Sequence, residues 1–190
     1  MKTFDEVMAL TSTVSSATAF SDVECRALYD QCFKLNPSSV VVEIGCQLGR
    51  TSSIIAQVGK EIGYRSIHID PYTQQFEYLR GWIEMMHKVG NPFTFLCMRT
   101  DQAERELRSL VCYETSGIDL LLIDGDHTTA GVETDCDVAG RRVRKGGILC
   151  AHDYGQPSLP DVKQVLDRFT AGPTWEKLGV YDTLGIWRRM

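Results

Sequence analysis

Strand-like and helix-like segments alternate along this chain with a regularity that strongly limits the possible folds. Five short apolar runs, each typical of a buried strand, occupy residues 40–44, 66–70, 93–98, 118–123 and 148–151. Each run is followed by a stretch whose apolar residues recur every three or four positions, which predicts a helix. Because parallel strands need a crossover between them, this order predicts an α/β fold with a doubly wound, mostly parallel sheet.

The end of the chain breaks the alternation. Residues 174–180 and 183–188 have the pattern of two further strands, and only a turn near Tyr181 and Asp182 separates them. We therefore expect a C-terminal antiparallel hairpin. A dinucleotide-binding Rossmann fold would instead end on another parallel strand, so the pattern favours a Rossmann-like variant of that fold.

Length and charge indicate the class of protein. The 190 residues fit one domain, residues 1–190, with a Rossmann-like core at 38–190 and an N-terminal extension at 1–36 that we expect to form a helix and to cover the cleft. The net charge of −5 and the sequence pI of 5.4 argue against nucleic acid and anionic membrane surfaces as partners. The hairpin and the N-terminal helix offer surfaces for a homo-oligomer.

Cysteine usage and hydropathy indicate the compartment. The seven cysteines are odd in number and include no C-x-x-C pair, which disfavours a disulfide framework or a zinc knuckle. The first twenty residues lack the apolar core of a signal peptide, and no run approaches the ~18 apolar residues of a membrane span. We expect a cytoplasmic protein.

The turn after the first strand has the spacing E-x-G-x-x-x-G, formed by Glu43, Gly45 and Gly49. Gln47 stands where the dinucleotide fingerprint has its second glycine, so the turn favours an amino-acid-like ligand over a pyrophosphate. Glu43 can accept a hydrogen bond from an ammonium group, and Thr51 with the amides of the helix start can hold a carboxylate. The alternative is a plain strand–helix turn that needs glycine for its backbone.

Three further side chains suit a nucleoside next to that turn. Asp70 ends the second strand 25 residues after Gly45, where a carboxylate can bind both ribose hydroxyls. Tyr72 can pack on an adenine ring or can be an ordinary aromatic of a surface turn. Asp101 follows the third strand and can accept from the adenine amino group or cap the next helix.

Acidic and imidazole groups follow the fourth and fifth strands. Asp124, Asp126 and His127 leave the fourth strand, and His152 and Asp153 leave the fifth, so all five should meet at one edge of the sheet. Carboxylates crowded in a cleft need compensation, which a cation such as Mg²⁺ supplies while it lowers the pKa of a substrate hydroxyl. The alternative is that Asp124 and Asp126 cap the next helix and that His152 bonds a backbone carbonyl.

The same residues resemble the macrocin O-methyltransferase-like group, which includes relatives named cephalosporin hydroxylases. The shared elements are L-L-I-D-G-D-H at 121–127, Gly131 and Val132, Asp135, G-G-I at 146–148 and H-D-Y at 152–154. The resemblance covers residues 38–155. It implies a class I methyltransferase that uses S-adenosylmethionine, with strand order 3-2-1-4-5-7-6 and a sugar or phenol hydroxyl as the acceptor, assisted by Mg²⁺.

The resemblance also assigns roles to site residues. Asp124 and Asp153 would be metal ligands together with His152, which stands where metal-binding relatives often carry an acid. Asp126 would be the general base, with His127 as the second catalytic candidate. The predicted donor site comprises Glu43, Gly45, Gln47, Gly49, Thr51, Asp70, Tyr72, Asp101 and Asp124. Two alternatives stay open, a module that binds the donor without turnover and a nucleotide-dependent oxidoreductase.

Overall fold

A computed structural model describes residues 2–12, 20–72, 76–112 and 117–190. Its centre is a seven-stranded sheet with the order β3-β2-β1-β4-β5-β7-β6. Strands β1 to β5 are parallel, and β7 pairs antiparallel with both β5 and β6. The predicted sheet and its terminal hairpin are therefore confirmed. The strands are β1 Val40–Ile44, β2 Arg65–Ile69, β3 Phe93–Leu96, β4 Ile118–Ile123, β5 Val143–Ala151, β6 Trp175–Tyr181 and β7 Leu184–Arg189.

Helices connect the parallel strands and cover both faces of the sheet. They are α1 Phe4–Thr11, α2 Asp22–Cys32, α3 Arg50–Ile62, α4 Phe76–Val89, α5 Glu104–Cys112, α6 Thr129–Val138 and α7 Pro160–Phe169. Within the described residues, each helix is too short or too polar to cross a bilayer. Helix α1 was not predicted, because its apolar residues show no strong period. Its capping box, formed by Thr3 and Glu6, was the available signal.

The fifth strand starts earlier than predicted. The apolar run suggested a start at residue 148, yet the strand begins at Val143, so Gly146 and Gly147 lie inside β5. A Cβ on Gly147 would lie 2.8 Å from the carbonyl oxygen of Ile118, so glycine allows β5 to approach β4 closely. The register between the two strands shifts at this point, as expected of a β-bulge.

The core divides between the two faces of the sheet because successive strand residues point to opposite sides. In β1, Val40 and Val42 belong to the cluster that includes α5, α6 and α7, whereas Val41 belongs to the cluster that includes α1, α2 and α3. All six residues of β4 are buried. With both faces covered, the carboxyl ends of the central strands are the place where polar side chains can meet a ligand.

The N-terminal helices pack against α3, and buried hydrogen bonds join α1 to it. The hydroxyls of Thr11 and Ser53 lie 2.6 Å apart, and the Gln57 side chain donates to the Val7 carbonyl at 3.1 Å. Helices α1 and α2 therefore lie beside α3 on one face of the sheet. Part of the predicted cover over the cleft, residues 13–19, lies outside the described residues.

Candidate active site

A cavity of about 500 Å³ opens at the carboxyl ends of β1, β2, β4 and β5, a size usual for a small-molecule site. The structure brings most of the predicted site residues to its wall. They are Gly45, Gln47, Asp70, Asp101, Asp124, Asp126, His127, His152 and Asp153. The other predicted residues, Glu43, Gly49, Thr51 and Tyr72, do not line this cavity.

Gly45 is required by a close approach between two backbones. Its φ is +83°, and a Cβ at this position would lie 1.9 Å from the carbonyl oxygen of Asp124. The turn after β1 therefore lies against the end of β4, and its backbone forms part of the cavity wall. Gly49 has another task, because a Cβ there would meet Trp82 and Met85 of α4. Gly49 therefore allows α3 and α4 to pack closely, and its contact with the ligand stays a prediction.

Glu43 and Thr51 lie beneath the turn instead of facing the cavity. The fully buried Glu43 carboxylate accepts hydrogen bonds from the hydroxyls of Thr51 and Ser52. Its Oε2 also lies 2.6 Å from Nδ1 of His68, whose Nε2 lies 2.9 Å from the Ser66 hydroxyl. These contacts connect β1, β2 and the start of α3. The role of Glu43 and Thr51 at the amino-acid end of the ligand stays a prediction.

Asp70 lines the cavity and also fastens the turn. Its Oδ2 accepts from the backbone amides of Cys46 at 2.8 Å and Gln47 at 3.1 Å, and its Oδ1 accepts from the amide of Tyr72 at 2.9 Å. Three amides thus converge on one half-buried carboxylate. Its contact with a ribose stays a prediction.

Tyr72 packs against the turn after β1. It is buried, its hydroxyl donates to the Gln47 carbonyl at 2.6 Å, and its ring packs near Phe95. Burial raises the pKa of this hydroxyl far above its ordinary value. The alternative of an ordinary surface aromatic is therefore wrong, and the contact with an adenine ring stays a prediction.

Asp101 stands at the rim of the cavity. Its carboxylate is half-exposed and lies 3.2 Å from Nε of Arg99. Helix α5 begins at Glu104, three positions on, so the alternative of a helix cap is wrong. The contact with the adenine amino group stays a prediction.

Four side chains at the ends of β4 and β5 form what we call the Asp–His cluster: Asp124, His127, His152 and Asp153. Nδ1 of His152 lies 3.0 Å from Oδ1 of Asp124 and 3.2 Å from Oδ2 of Asp153. Nε2 of His127 lies 2.9 Å from the same Asp153 oxygen and 3.8 Å from the same Asp124 oxygen. Each carboxylate therefore faces both imidazoles.

The purely structural roles that the sequence left open for Asp124, Asp126 and His152 are wrong. The cap of α6 is Thr128, whose hydroxyl accepts from the Gly131 amide, so neither Asp124 nor Asp126 is the cap. Asp126 accepts from the Thr128 amide at 2.9 Å and shapes the turn before the helix, while it still lines the cavity. His152 faces carboxylates instead of a backbone carbonyl.

Charge pairing strongly perturbs the protonation of the cluster. The carboxylates of Asp124 and Asp153 raise the pKa of His127 to about 10. Burial alone would lower the pKa of His152, but Asp124, Asp153 and Glu24 outweigh it and raise this pKa to about 12. Burial opposes ionisation of Asp153, but the facing histidines hold its pKa well below the usual range. Asp153 also has a left-handed backbone, with φ of +56°, as strained functional positions often do.

Two N-terminal residues that the sequence did not single out stand behind His152. The Phe20 ring stacks on the imidazole, with centroids 4.2 Å apart and planes at 13°. Oε2 of Glu24 lies 3.6 Å from Nε2 of His152, and Oε1 accepts from the amide and the hydroxyl of Thr183 at 2.9 and 2.7 Å. Burial would raise the pKa of Glu24, but these partners lower it to about 2. Its only sequence signal was a capping box with Ser21, which indicates a helix start.

The chemistry of the cluster fits a divalent cation. Asp124, His152 and Asp153 each offer a ligand atom, and these atoms lie within 4.8 Å of one another. Nε2 of His127 faces the same carboxylates in ion-pair contacts that are not aligned as hydrogen bonds. The site thus supplies ligand atoms for an ion, which would have to displace the imidazole protons.

Comparison with known proteins agrees with this geometry. A family model described as "Methyltransferase domain" matches residues 42–154, more than half of the chain. An apo TDP-rhamnose 3'-O-methyltransferase of calicheamicin biosynthesis shares 14% identity over 99% of this chain and 96% of its own, with a TM-score of 0.67. An O-methyltransferase from Bacillus cereus in complex with SAH shares 14% over 98% and 90%, with a TM-score of 0.71.

A third solved structure, the O-methyltransferase TomG from Streptomyces achromogenes in complex with SAM, shares 12% identity over 98% of this chain and 89% of its own, with a TM-score of 0.69. At these identities the three structures show the fold alone, and the family model carries the assignment. The match favours the predicted methyltransferase over the oxidoreductase alternative. The chain therefore belongs to the methyltransferase domain family and is a class I, S-adenosylmethionine-dependent methyltransferase.

Proposed function

We propose that this enzyme methylates a hydroxyl oxygen of a small molecule. The observation that carries the proposal is that one cavity joins the turn after β1 to the Asp–His cluster. A donor held by the turn would present its methyl group toward the cluster, where an acceptor hydroxyl can lose its proton. The solved structures of similar fold that are named O-methyltransferases support an oxygen acceptor.

The donor would lie along the wall formed by Gly45, Gln47, Asp70 and Asp101. The backbone of Gly45 permits close approach, and Asp70 keeps the turn in place through the amides of Cys46 and Gln47. We propose that Asp70 also faces the ribose and that the exposed carboxylate of Asp101 reaches the adenine amino group. Asp124 would contact the donor where β1 and β4 meet.

The acceptor would bind beside the Asp–His cluster. In the reaction its oxygen forms a bond to the methyl carbon while the bond from that carbon to sulfur breaks, which leaves S-adenosylhomocysteine and a methyl ether. Such a displacement depends above all on alignment of the two reactants. We propose that Asp126, on the cavity wall next to the cluster, accepts the hydroxyl proton. A divalent cation held by Asp124, His152 and Asp153 would lower the pKa of that hydroxyl.

The test combines donor binding with product analysis. Titration calorimetry with S-adenosylmethionine and S-adenosylhomocysteine should show one site. Transfer of a labelled methyl group to a panel of phenols and sugars should give a product methylated on oxygen. Asp70→Ala should raise the Kd of the donor by about tenfold or more, since a charge-assisted hydrogen bond is worth ~1.5–3 kcal/mol. Asp137→Asn, at an exposed position of α6, is the matched control and should bind as the wild type does.

Two results would contradict the proposal. If neither S-adenosylmethionine nor S-adenosylhomocysteine gives binding heat or a thermal shift, the proposed donor site is refuted. A product methylated on carbon, nitrogen or sulfur would leave the donor site intact and remove the oxygen acceptor.

A further inference from the structure

We propose that the Asp–His cluster selects a borderline transition-metal ion, of the Fe²⁺, Co²⁺ or Zn²⁺ type, over Mg²⁺. The ligands would be the carboxylates of Asp124 and Asp153 and the imidazoles of His152 and His127, with Glu24 as a positioning residue behind His152. The inference rests on the proposed function only in that it concerns the same cavity.

The donor atoms converge from two neighbouring strands. Oδ1 of Asp124 and Oδ2 of Asp153 each face both imidazoles, at nitrogen-to-oxygen distances between 2.9 and 3.8 Å. The ligand atoms of Asp124, Asp153 and His152 lie within 4.8 Å of one another, and His127 faces the same two oxygens from beside this group. Because α6 begins just beyond His127 and β5 ends just before His152, secondary structure fixes this arrangement at both ends.

His127 approaches the same two carboxylates from the turn before α6. Its Nε2 lies 2.9 Å from Oδ2 of Asp153 and 3.8 Å from Oδ1 of Asp124, in ion-pair contacts that are not aligned as hydrogen bonds. Coordination would use this nitrogen in its deprotonated form. Asp126 would then be left to accept the acceptor's proton.

Glu24 completes an arrangement that proteins use to orient metal-bound histidines. With Nδ1 of His152 directed at the carboxylates, Nε2 faces Oε2 of Glu24 at 3.6 Å, which favours the tautomer with its proton on Nε2. Glu24 is held in turn by Thr183 and Ser21, and Phe20 covers the flat side of the ring. The orientation of His152 is therefore set from three sides.

This donor set disfavours Mg²⁺. That ion prefers oxygen ligands and retains bound water, whereas imidazole suits later first-row ions, whose affinity for nitrogen donors rises along the series. An acid in place of His152 would restore an oxygen-rich site. Residue 152 is thus the position that we expect to decide which ion binds.

Competition between Co²⁺ and Mg²⁺ on the metal-stripped full chain tests the inference. Co²⁺ is the probe because its visible absorption bands report coordination, and calorimetry gives stoichiometry and Kd. We expect one Co²⁺ per chain, bound about a hundredfold or more tightly than Mg²⁺. His152→Asp should reduce that ratio at least about tenfold. Glu24→Gln should weaken Co²⁺ binding ~10–100-fold, as is usual when an outer partner is lost.

A matched control separates coordination from general damage. His87→Asp makes the same replacement at an exposed position of α4. It should bind Co²⁺ as the wild type does. If His152→Asp fails to fold by circular dichroism, Glu24→Gln and His127→Ala carry the test, and both should weaken Co²⁺ binding.

Three results would overturn the inference. The first is equal affinity for the two ions. The second is a Co²⁺ Kd that Glu24→Gln and His152→Asp leave unchanged, and the third is no binding of any divalent ion. In the last case the histidines would act as cations that neutralise the two carboxylates. Binding of S-adenosylmethionine, measured on the same preparation, distinguishes failure of this inference from failure of the proposed function. If the donor still binds, only the metal site is refuted.

Discussion

Asp135→Asn should make the protein less sensitive to pH. Asp135 lies in α6 with 3% of its surface exposed, and its Oδ2 has no hydrogen-bond partner in the described part of the chain. Burial raises the pKa of this carboxyl from 3.8 to about 7, against a smaller opposing effect of the Thr100 hydroxyl. The folded protein therefore holds the Asp135 proton more tightly than the unfolded chain does.

The direction and size of the effect follow from that difference. The contribution of Asp135 to stability is complete below about pH 4, declines as the pH rises, and is lost above about pH 7. A pKa raised from 3.8 to about 7 corresponds to about 4 kcal/mol in all, of which about 2–3 kcal/mol falls between pH 5 and pH 8. Asparagine has no charge to lose, so Asp135→Asn should lack this decline.

Urea unfolding of both proteins at pH 5 and pH 8, without ligand, measures the difference. The wild type should lose about 2–3 kcal/mol more than Asp135→Asn over this interval, which is ~4–12 °C in Tm for a domain of this size. Asp137→Asn, at an exposed position of the same helix, should follow the wild type. If the wild type and Asp135→Asn change in parallel, the carboxyl is ionised at an ordinary pH and the reasoning from burial fails.

Two further substitutions test the turn after β1. Gly45→Ala places a Cβ 1.9 Å from a backbone oxygen at a φ of +83°, so we expect donor Kd to rise about a hundredfold or more and stability to fall by at least ~2 kcal/mol. Gly81→Ala in α4, where a Cβ meets nothing within 4 Å, is the control, and equal donor binding by the two variants would refute the clash. Glu43→Gln should cost ~1.5–3 kcal/mol in urea unfolding, because it weakens the buried hydrogen bonds of this carboxylate, and a loss under 1 kcal/mol would contradict that role.

The sheet was predictable because its signals are local. Apolar runs mark β1 and β4 whatever the rest of the chain does, and two strand-like runs at 174–188 with no helix between them indicate a hairpin. Adjacent parallel strands then require that Asp124 and Asp153 meet. Helix α1 was not predicted because it has only eight residues and its packed face includes the polar Thr11. Such short helices depend on tertiary packing more than on pattern.

The direction of single side chains was harder to predict. Glu43 lies opposite His68 in the register of β1 and β2, and this pairing takes the carboxylate away from the cavity. A reading of the turn alone cannot detect a partner that lies 25 residues away. Glu24 is farther still from His152 in the sequence, and its role depends on how α2 packs. The single domain at 1–190, the homo-oligomer and the cytoplasmic location stay predictions.

The link between Glu24 and Thr183 has a consequence for synthesis on the ribosome. The two residues are 159 positions apart, so the glutamate emerges long before the hydroxyl and amide that fix it. Until Thr183 has been translated, the Glu24 carboxylate lacks the two hydrogen bonds from that residue. The group that faces Nε2 of His152 is therefore not yet fixed in position. The nascent protein can form most of its sheet early, but we expect the acidic edge to become competent only after the last hairpin has been translated.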